Sequence, residues 1–152
     1  MTDAAPKLQA LIDDFAFLDR NDRMQFLVEY ADRFGEVAVP EHIATRPFPA
    51  ENHVTRCESE AYVWGEERDD GTFDFYFAVE NPQGVSAKAW AVILGESLSG
   101  QPLETVATTD PQVVFEIFGK DVSMGKGQGM MGMLDHVQSF ARRKLAAERA
   151  EA

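Results

Sequence analysis

The stretch TFDFYFAV, residues 72–79, decides the fold class of this chain. It is rich in aromatic residues, as β-strands commonly are. The run AYVW at residues 61–64 opens an earlier strand, and the turn-forming sequence Asp69-Asp70-Gly71 lies between the two runs. Together they predict an antiparallel β-hairpin. The residues before or around Cys57 are compatible with a third strand, although the pattern does not show one.

Helical patterns flank this hairpin on both sides. Before it, apolar residues recur at helical spacing over residues 8–18 and 24–34, and the polar residues 19–22 supply an N-cap between them. The second of these helices is expected to bury one face, which consists of Met24, Leu27, Val28, Ala31 and Phe34. After the hairpin we expect a mostly buried helix over residues 85–98, one turn over 102–107, a helix over 110–118 and a last helix over 130–145.

These elements predict an α+β fold, in which a small antiparallel sheet of about three strands packs against several helices. A length of 152 residues is typical of one domain. We therefore expect a single domain over residues 1–152, with a core at about 8–145 and a disordered tail at 146–152. Two segments without periodicity are predicted to be loops: the proline-containing connector 35–56 and the glycine-rich stretch MGKGQG at 124–129.

Composition narrows the function classes. The formal net charge is -12, which disfavours nucleic acid and anionic membrane surfaces as partners. The N-terminal residues lack the basic start and apolar run of a signal peptide, and no apolar stretch reaches the roughly 20 residues that span a bilayer. We therefore expect a cytoplasmic protein with no membrane attachment.

The chain contains one cysteine, Cys57. A single cysteine cannot form an internal disulfide, and it cannot build the multi-thiolate sites of structural zinc or iron–sulfur clusters. Arg56 is adjacent and His53 lies in the same connector, and nearby cations stabilise the nucleophilic thiolate. Burial as a small apolar residue is the alternative. The polar neighbours of Cys57 favour a reactive thiol in a loop.

The other polar clusters point to no second site. His42, His53 and His136 are dispersed without the i, i+4 spacing of metal ligands on a helix, and His136 is expected to be solvated. A thiol–imidazole pair of Cys57 with His53 is a weaker hypothesis. We expect no metal and no cofactor in this chain. Lys126, in the glycine-rich stretch, could support an anionic thiolate if the fold brings it near Cys57.

Residues 52–60, NHVTRCESE, resemble the Asn-x-Val-x-Gly-Cys-x-Ser-x signature of the SufE family of sulfur acceptors. Residues 123–130, SMGKGQGM, lie where this family has Ser-Pro-x-Arg-x-Asn-Gly-Leu, and Lys88 lies where it often has Lys-Gly. The order of elements is also similar, and the resemblance spans roughly residues 8–145. It implies a SufE/IscU-like fold.

Some residues depart from the family pattern. Arg56 replaces the glycine before the cysteine, and Lys126 replaces an arginine. Tyr62 stands at the family's tryptophan position, with Trp64 two residues later, and Asp121 stands where a histidine precedes the C-terminal motif. These differences concern the surroundings of Cys57 and the choice of partner more than the fold.

The resemblance implies that Cys57 takes persulfide sulfur from a cysteine desulfurase and passes it to iron–sulfur cluster assembly. Arg56, Lys126 and His53 are the candidates for support of the sulfur anion. The implied partners are a desulfurase, which would use pyridoxal phosphate, and an iron–sulfur scaffold protein. The chain itself would be a sulfurtransferase-like accessory protein without turnover of small molecules, and a monomer or weak dimer.

Two other functions stay open at this point. The fold could serve as an interaction module that regulates a desulfurase or another protein without thiol chemistry. Alternatively, Cys57 could be a redox-sensing thiol that forms a sulfenic acid or an intermolecular disulfide. An iron–sulfur scaffold of related fold is disfavoured because it needs about three thiolates.

Overall fold

The structure is a computed structural model, and it describes residues 4–55, 57–120 and 122–151. Its fold is α+β, as the sequence predicts. The helices are α1 (Pro6–Phe15), α2 (Arg20–Asp32), α3 (Val85–Leu98), α4 (Leu103–Ala107), α5 (Val113–Phe118) and α6 (Met124–Glu151). The strands are β1 (Ala61–Glu67) and β2 (Phe73–Val79), and two short 3-10 turns cover Phe34–Glu36 and Ala50–Asn52.

The β1–β2 hairpin confirms the prediction from the aromatic stretch. The two strands pair antiparallel from Ala61 opposite Val79 to Glu67 opposite Phe73. Arg68 and Thr72 close the turn through a backbone hydrogen bond of 2.7 Å, and Gly71 adopts a positive φ of 86°. This conformation is one that glycine adopts at little cost, which explains the Asp-Asp-Gly sequence.

Isolated bridges occupy the place of the expected third strand. The connector forms a parallel bridge to β2 at Ala38 and Phe77, and an antiparallel bridge to β1 at His53 and Tyr62. Phe48, from the same connector, packs on Tyr62 at 5.2 Å between ring centroids. The connector thus covers both edges of the hairpin and part of its outer face, which limits pairing with other chains.

Helix α3 is the centre of the core. Its buried residues lie on every side of the helix, and it packs against α1, α2, α6 and β2. Trp90 is fully buried and donates a hydrogen bond of 2.8 Å from Nε1 to the carbonyl oxygen of Met130. This bond satisfies the one polar atom of the largest core side chain and joins α3 to α6.

The prediction of a loop at the glycine-rich stretch is wrong. Residues 124–129 form the first turns of α6. Ser123 caps the helix: its Oγ accepts from Lys126 N at 3.3 Å and its carbonyl accepts from Gly127 N at 2.8 Å. Glycine is a poor helix former, but tertiary packing contributes most of the stability of a helix in a protein.

Two further differences concern helix ends and faces. α6 continues through Glu151, so the expected disordered tail is helical as far as that residue. Its last residues are mainly alanine, glutamate and arginine, which have high helix propensity. In α2, Asp19 caps the helix as expected, but only Leu27 is buried, while Met24 and Val28 are exposed.

None of the helices that the described residues form is both long and apolar enough to cross a membrane.

We expect Gly95→Ala to destabilise the fold. A β-carbon at this position in α3 would lie 2.7 Å from Cγ1 of Val37, which is itself packed in the connector. Overpacking of this kind costs about 1–3 kcal/mol, which exceeds the gain in helix propensity. Gly35→Ala is the matched control, since nothing lies within 4 Å of its added β-carbon. In urea unfolding, the midpoint of Gly95→Ala should be clearly lower than that of Gly35→Ala. Equal midpoints would show that the close contact between position 95 and Val37 does not limit stability.

His136 should make the fold less stable in acid. It is half-buried on α6, contrary to the expected solvated position, and this burial lowers its pKa, with Arg143 lowering it further. The unfolded chain therefore binds a proton more readily, so stability falls as the pH drops below the unfolded value of about 6.5. We expect His136→Gln to lose less stability than wild type between pH 7.5 and 5.5 in urea titrations. If the free energy of unfolding of His136→Gln falls with pH as steeply as that of wild type, His136 is not the cause of the acid sensitivity.

Candidate functional site

Cys57 lies at the start of a tight turn that leads into β1. Glu60 N donates to the carbonyl oxygen of Cys57 at 3.1 Å, and Glu60 adopts a left-handed φ of 53°. Just before the turn, Val54 N donates to Ala61 O at 2.9 Å. The cysteine is therefore carried by a short loop whose two ends are tied to each other across the start of β1.

The segment after β2 clamps this turn from one side. The backbone N–H groups of Glu80 and Asn81 donate to the carbonyl oxygens of Glu60 and Ser59, each at 3.1 Å. Gly84, the residue before α3, comes so close that an added β-carbon would lie 3.0 Å from Ser59 Cβ. Only a residue without a side chain allows this approach, so the sequence Asn-Pro-Gln-Gly positions the cysteine turn.

Helix α6 supports the loop from the other side through its glycines. A β-carbon on Gly132 would lie 3.0 Å from Val54 Cγ1 and 3.5 Å from Thr55 O, and one on Gly125 would lie 3.4 Å from Glu58 Oε1. Gly125 and Gly132 thus form a shallow surface on this side of α6. The cysteine loop rests on this surface.

Cys57 forms part of the wall of a cavity of about 390 Å³. Its exposed fraction is 9%, and it packs with the core residues. The first turns of α3 and of α6 both contribute to the cavity wall, through Ser86 and Ala87 and through Gly125 and Lys126. The thiol is therefore sheltered, as the burial alternative expects, and it also borders this cavity.

The three candidate supporting residues differ in position. Lys126 lines the cavity with Cys57. His53 is engaged elsewhere, because its Nε2 lies 3.0 Å from Glu60 Oε2 and its ring packs on Tyr62 at 5.0 Å. Arg56 lies outside the described residues, as does Asp121. Of Lys126 and His53, therefore, Lys126 is the one that lines the cavity together with Cys57.

Sequence reasoning missed several cavity residues. Met24 and Val28 line it from α2, Asn81 and Gly84 line it from the turn before α3, and Ser86 lines it from the first turn of α3. The sequence NPQG at residues 81–84 is a recognisable turn signal that could have drawn attention to the second group. The sequence could not identify Met24 and Val28 as cavity residues, because apolar residues at helical spacing are expected to be buried in the core.

No group of three or more His, Cys, Asp or Glu side chains in the described ranges is arranged to hold a metal ion.

The geometry defines a small α+β domain with one sheltered, loop-borne thiol beside two helix N-termini. The family model of the SufE, Fe-S metabolism associated domain, matches residues 9–141. The chain therefore belongs to the SufE family, and this membership associates it with Fe–S metabolism. No curated protein matches the chain significantly.

A solved structure is also similar. The solution structure of a hypothetical protein from Thermus thermophilus has 25% sequence identity and a TM-score of 0.71, covering 95% of this chain and 99% of that chain. This similarity extends over nearly the whole of both chains, so the two chains share the same α+β fold.

We expect Gly84→Ala to increase the accessibility of Cys57. The added β-carbon would lie 2.8 Å from Val79 Cγ1 and 3.0 Å from Ser59 Cβ, so displacement of the cysteine turn relieves part of the strain. A strain of about 1–3 kcal/mol corresponds to roughly a 5- to 150-fold shift in an opening equilibrium. The rate of reaction with a thiol reagent such as DTNB under native conditions measures this shift.

Gly125→Ala is the control for that experiment. It also lies beside the cysteine turn, but its β-carbon would make only a 3.4 Å contact with the flexible end of Glu58. Its DTNB rate should stay near that of wild type. Equal rates for all three proteins would show that Gly84 does not hold the turn.

Proposed function

We propose that the protein is a sulfur acceptor that carries a persulfide on Cys57 and delivers the sulfur to iron–sulfur cluster assembly. The observation that supports this most directly is the sheltered position of the only cysteine beside a cavity of about 390 Å³. A persulfide needs protection from other thiols and from oxidants, and it also needs an opening through which a donor reaches it.

The transfer is a thiol exchange. The thiolate of Cys57 attacks the outer sulfur of a donor persulfide, R–S–SH. A new S–S bond forms on Cys57, the S–S bond of the donor breaks, and the donor cysteine leaves as a thiolate, R–S⁻. No external oxidant or reductant is required. A single cysteine suits this role, because a second nearby thiol would displace the sulfur by forming a disulfide.

Two features of the cavity wall favour a sulfur anion, whereas the carboxylate of Glu58 at the same wall opposes it. Helix N-termini carry partial positive charge, and both α3 and α6 begin at the cavity wall. Lys126 adds a full positive charge at the same wall. These groups would stabilise the anionic form of the bound persulfide. Arg56 stays a candidate for the same role on sequence grounds alone.

The donor would be a cysteine desulfurase, and the acceptor of the carried sulfur would be a scaffold protein for iron–sulfur clusters. The pyridoxal phosphate of this pathway would belong to the desulfurase, and we assign no cofactor to this chain. We expect an accessory sulfurtransferase without turnover of small molecules, acting as a monomer or weak dimer in the cytoplasm, where the thiol stays reduced.

The test is intact mass spectrometry after incubation with a cysteine desulfurase and cysteine. We expect the wild type to gain about 32 Da, one sulfur atom, and Cys57→Ser to gain nothing. The added mass should disappear with a reductant, because a persulfide is reducible. If none of a panel of desulfurases adds mass to the wild type, the carrier function is wrong.

The same experiment separates the alternatives. If the protein is an interaction module without thiol chemistry, its Cys57→Ala variant should stimulate the desulfurase as well as the wild type does. A redox-sensing thiol would react with peroxide and show no response to the desulfurase. The cavity favours the carrier over the module, because binding alone does not require a space beside the thiol.

A further inference from the structure

Glu60 has an unusual backbone conformation in the cysteine turn. Its φ of 53° lies in the left-handed region, which favours glycine, and no other non-glycine residue in the described part of the chain has a positive φ. The N–H group of Glu60 donates to the carbonyl oxygen of Cys57 at 3.1 Å, so this conformation closes the turn. A glutamate at a position that favours glycine indicates that its side chain has a function there.

The carboxylate of Glu60 contacts the imidazole of His53. Nε2 of His53 lies 3.0 Å from Oε2 of Glu60. One of these residues precedes Cys57 in the sequence and the other follows it. Their contact therefore spans the loop that carries the thiol, next to the backbone hydrogen bond between Val54 and Ala61.

The two ends of this contact belong to different parts of the structure. His53 forms an antiparallel bridge with Tyr62 of β1, and the two rings pack at 5.0 Å between centroids. Asn52, the preceding residue, donates from Nδ2 to the carbonyl oxygen of Val63 at 2.9 Å. His53 is thus fixed to the sheet, whereas Glu60 belongs to the turn. Their contact ties the cysteine turn to β1.

We propose that His53 and Glu60 form a latch that holds the Cys57 turn in its sheltered position. Both are positioning residues, which act on the thiol by limiting how often the turn moves to expose it. This role of His53 differs from direct support of the sulfur anion, because its Nε2 faces Glu60. The inference rests on the proposed function, since the sheltered thiol must be exposed before it reacts with a donor, and it adds the residues that control this step.

The exposure of the latch to water determines the size of its effect. The side chains of His53 and Glu60 are 30% and 57% exposed. Polar contacts that water reaches stabilise a structure only modestly, so loss of the latch should shift the opening equilibrium of the turn about two- to fivefold. A latch of this strength favours the sheltered position and still allows the turn to open.

The test uses variants that remove the contact from either side. His53→Phe keeps a ring on Tyr62 but has no N–H group to donate. Glu60→Asn tolerates the left-handed conformation, but its side chain is shorter and uncharged. His42→Phe is the matched control, because His42 Nε2 lies 3.1 Å from Glu66 Oε2, in the same kind of contact near the other end of β1.

The first measurement is the rate at which DTNB modifies Cys57 under native conditions. We expect His53→Phe and Glu60→Asn each to raise this rate about two- to fivefold. The double variant should react no faster than the faster single variant, because both substitutions remove the same contact. His53→Gln should react nearly as wild type, since its amide N–H can donate to Glu60. The control His42→Phe should also keep the wild-type rate.

Three results would overturn the latch. If both single variants react at the wild-type rate, the contact does not hold the turn. If His53→Phe slows the reaction of Cys57, the imidazole supports the thiolate directly. If His42→Phe accelerates the reaction as much as His53→Phe does, a general loss of stability explains the change.

A second measurement separates the latch from the carrier function. With a cysteine desulfurase and cysteine, persulfide formation on Cys57 is followed by mass at low acceptor concentration. Its rate in His53→Phe should rise by the same factor as the DTNB rate. If the DTNB rates change as expected but wild type accepts sulfur from no desulfurase, the carrier function fails and the latch stands. If wild type is loaded and His53→Phe is loaded no faster, the latch does not control sulfur transfer and the proposal is wrong.

Discussion

The burial of α3 is the constraint on which the rest of the structure depends. A helix that is apolar on every side must be covered on every side, and no single neighbour can do this. α1 and α2 cover it from one direction, β2 from another and α6 from a third. The hydrogen bond from Trp90 to the Met130 carbonyl then fixes the position of α6 along α3. That position brings the first turns of α6 to the cysteine loop.

The cysteine site follows from this packing with few residues of its own. The turn at Cys57 is held between backbone groups of residues 80–81 and the glycines of α6. Rigid elements thus determine where the thiol lies, while the loop that carries it is short and separate from them. Such an arrangement shelters the thiol, and it allows the turn to move locally without unfolding of the helices around it.

Lys126 beside Cys57 shows how a strongly acidic protein can place a positive charge at one site. Lys126 comes from α6, which is far from Cys57 in sequence. The net charge of -12 describes the chain as a whole, but the local charge decides what approaches the thiol.

The sequence alone determined the α+β class, the hairpin and the buried α3, because periodicity and turn residues are local properties. It could not predict that residues 124–129 are helical, since contacts with distant residues overrule the low helix propensity of glycine. Nor could it predict that Met24 is exposed, or that His53 contacts Glu60 and not the thiol. Only tertiary packing decides which residues surround Cys57, because the cavity is built from segments separated by up to about a hundred positions.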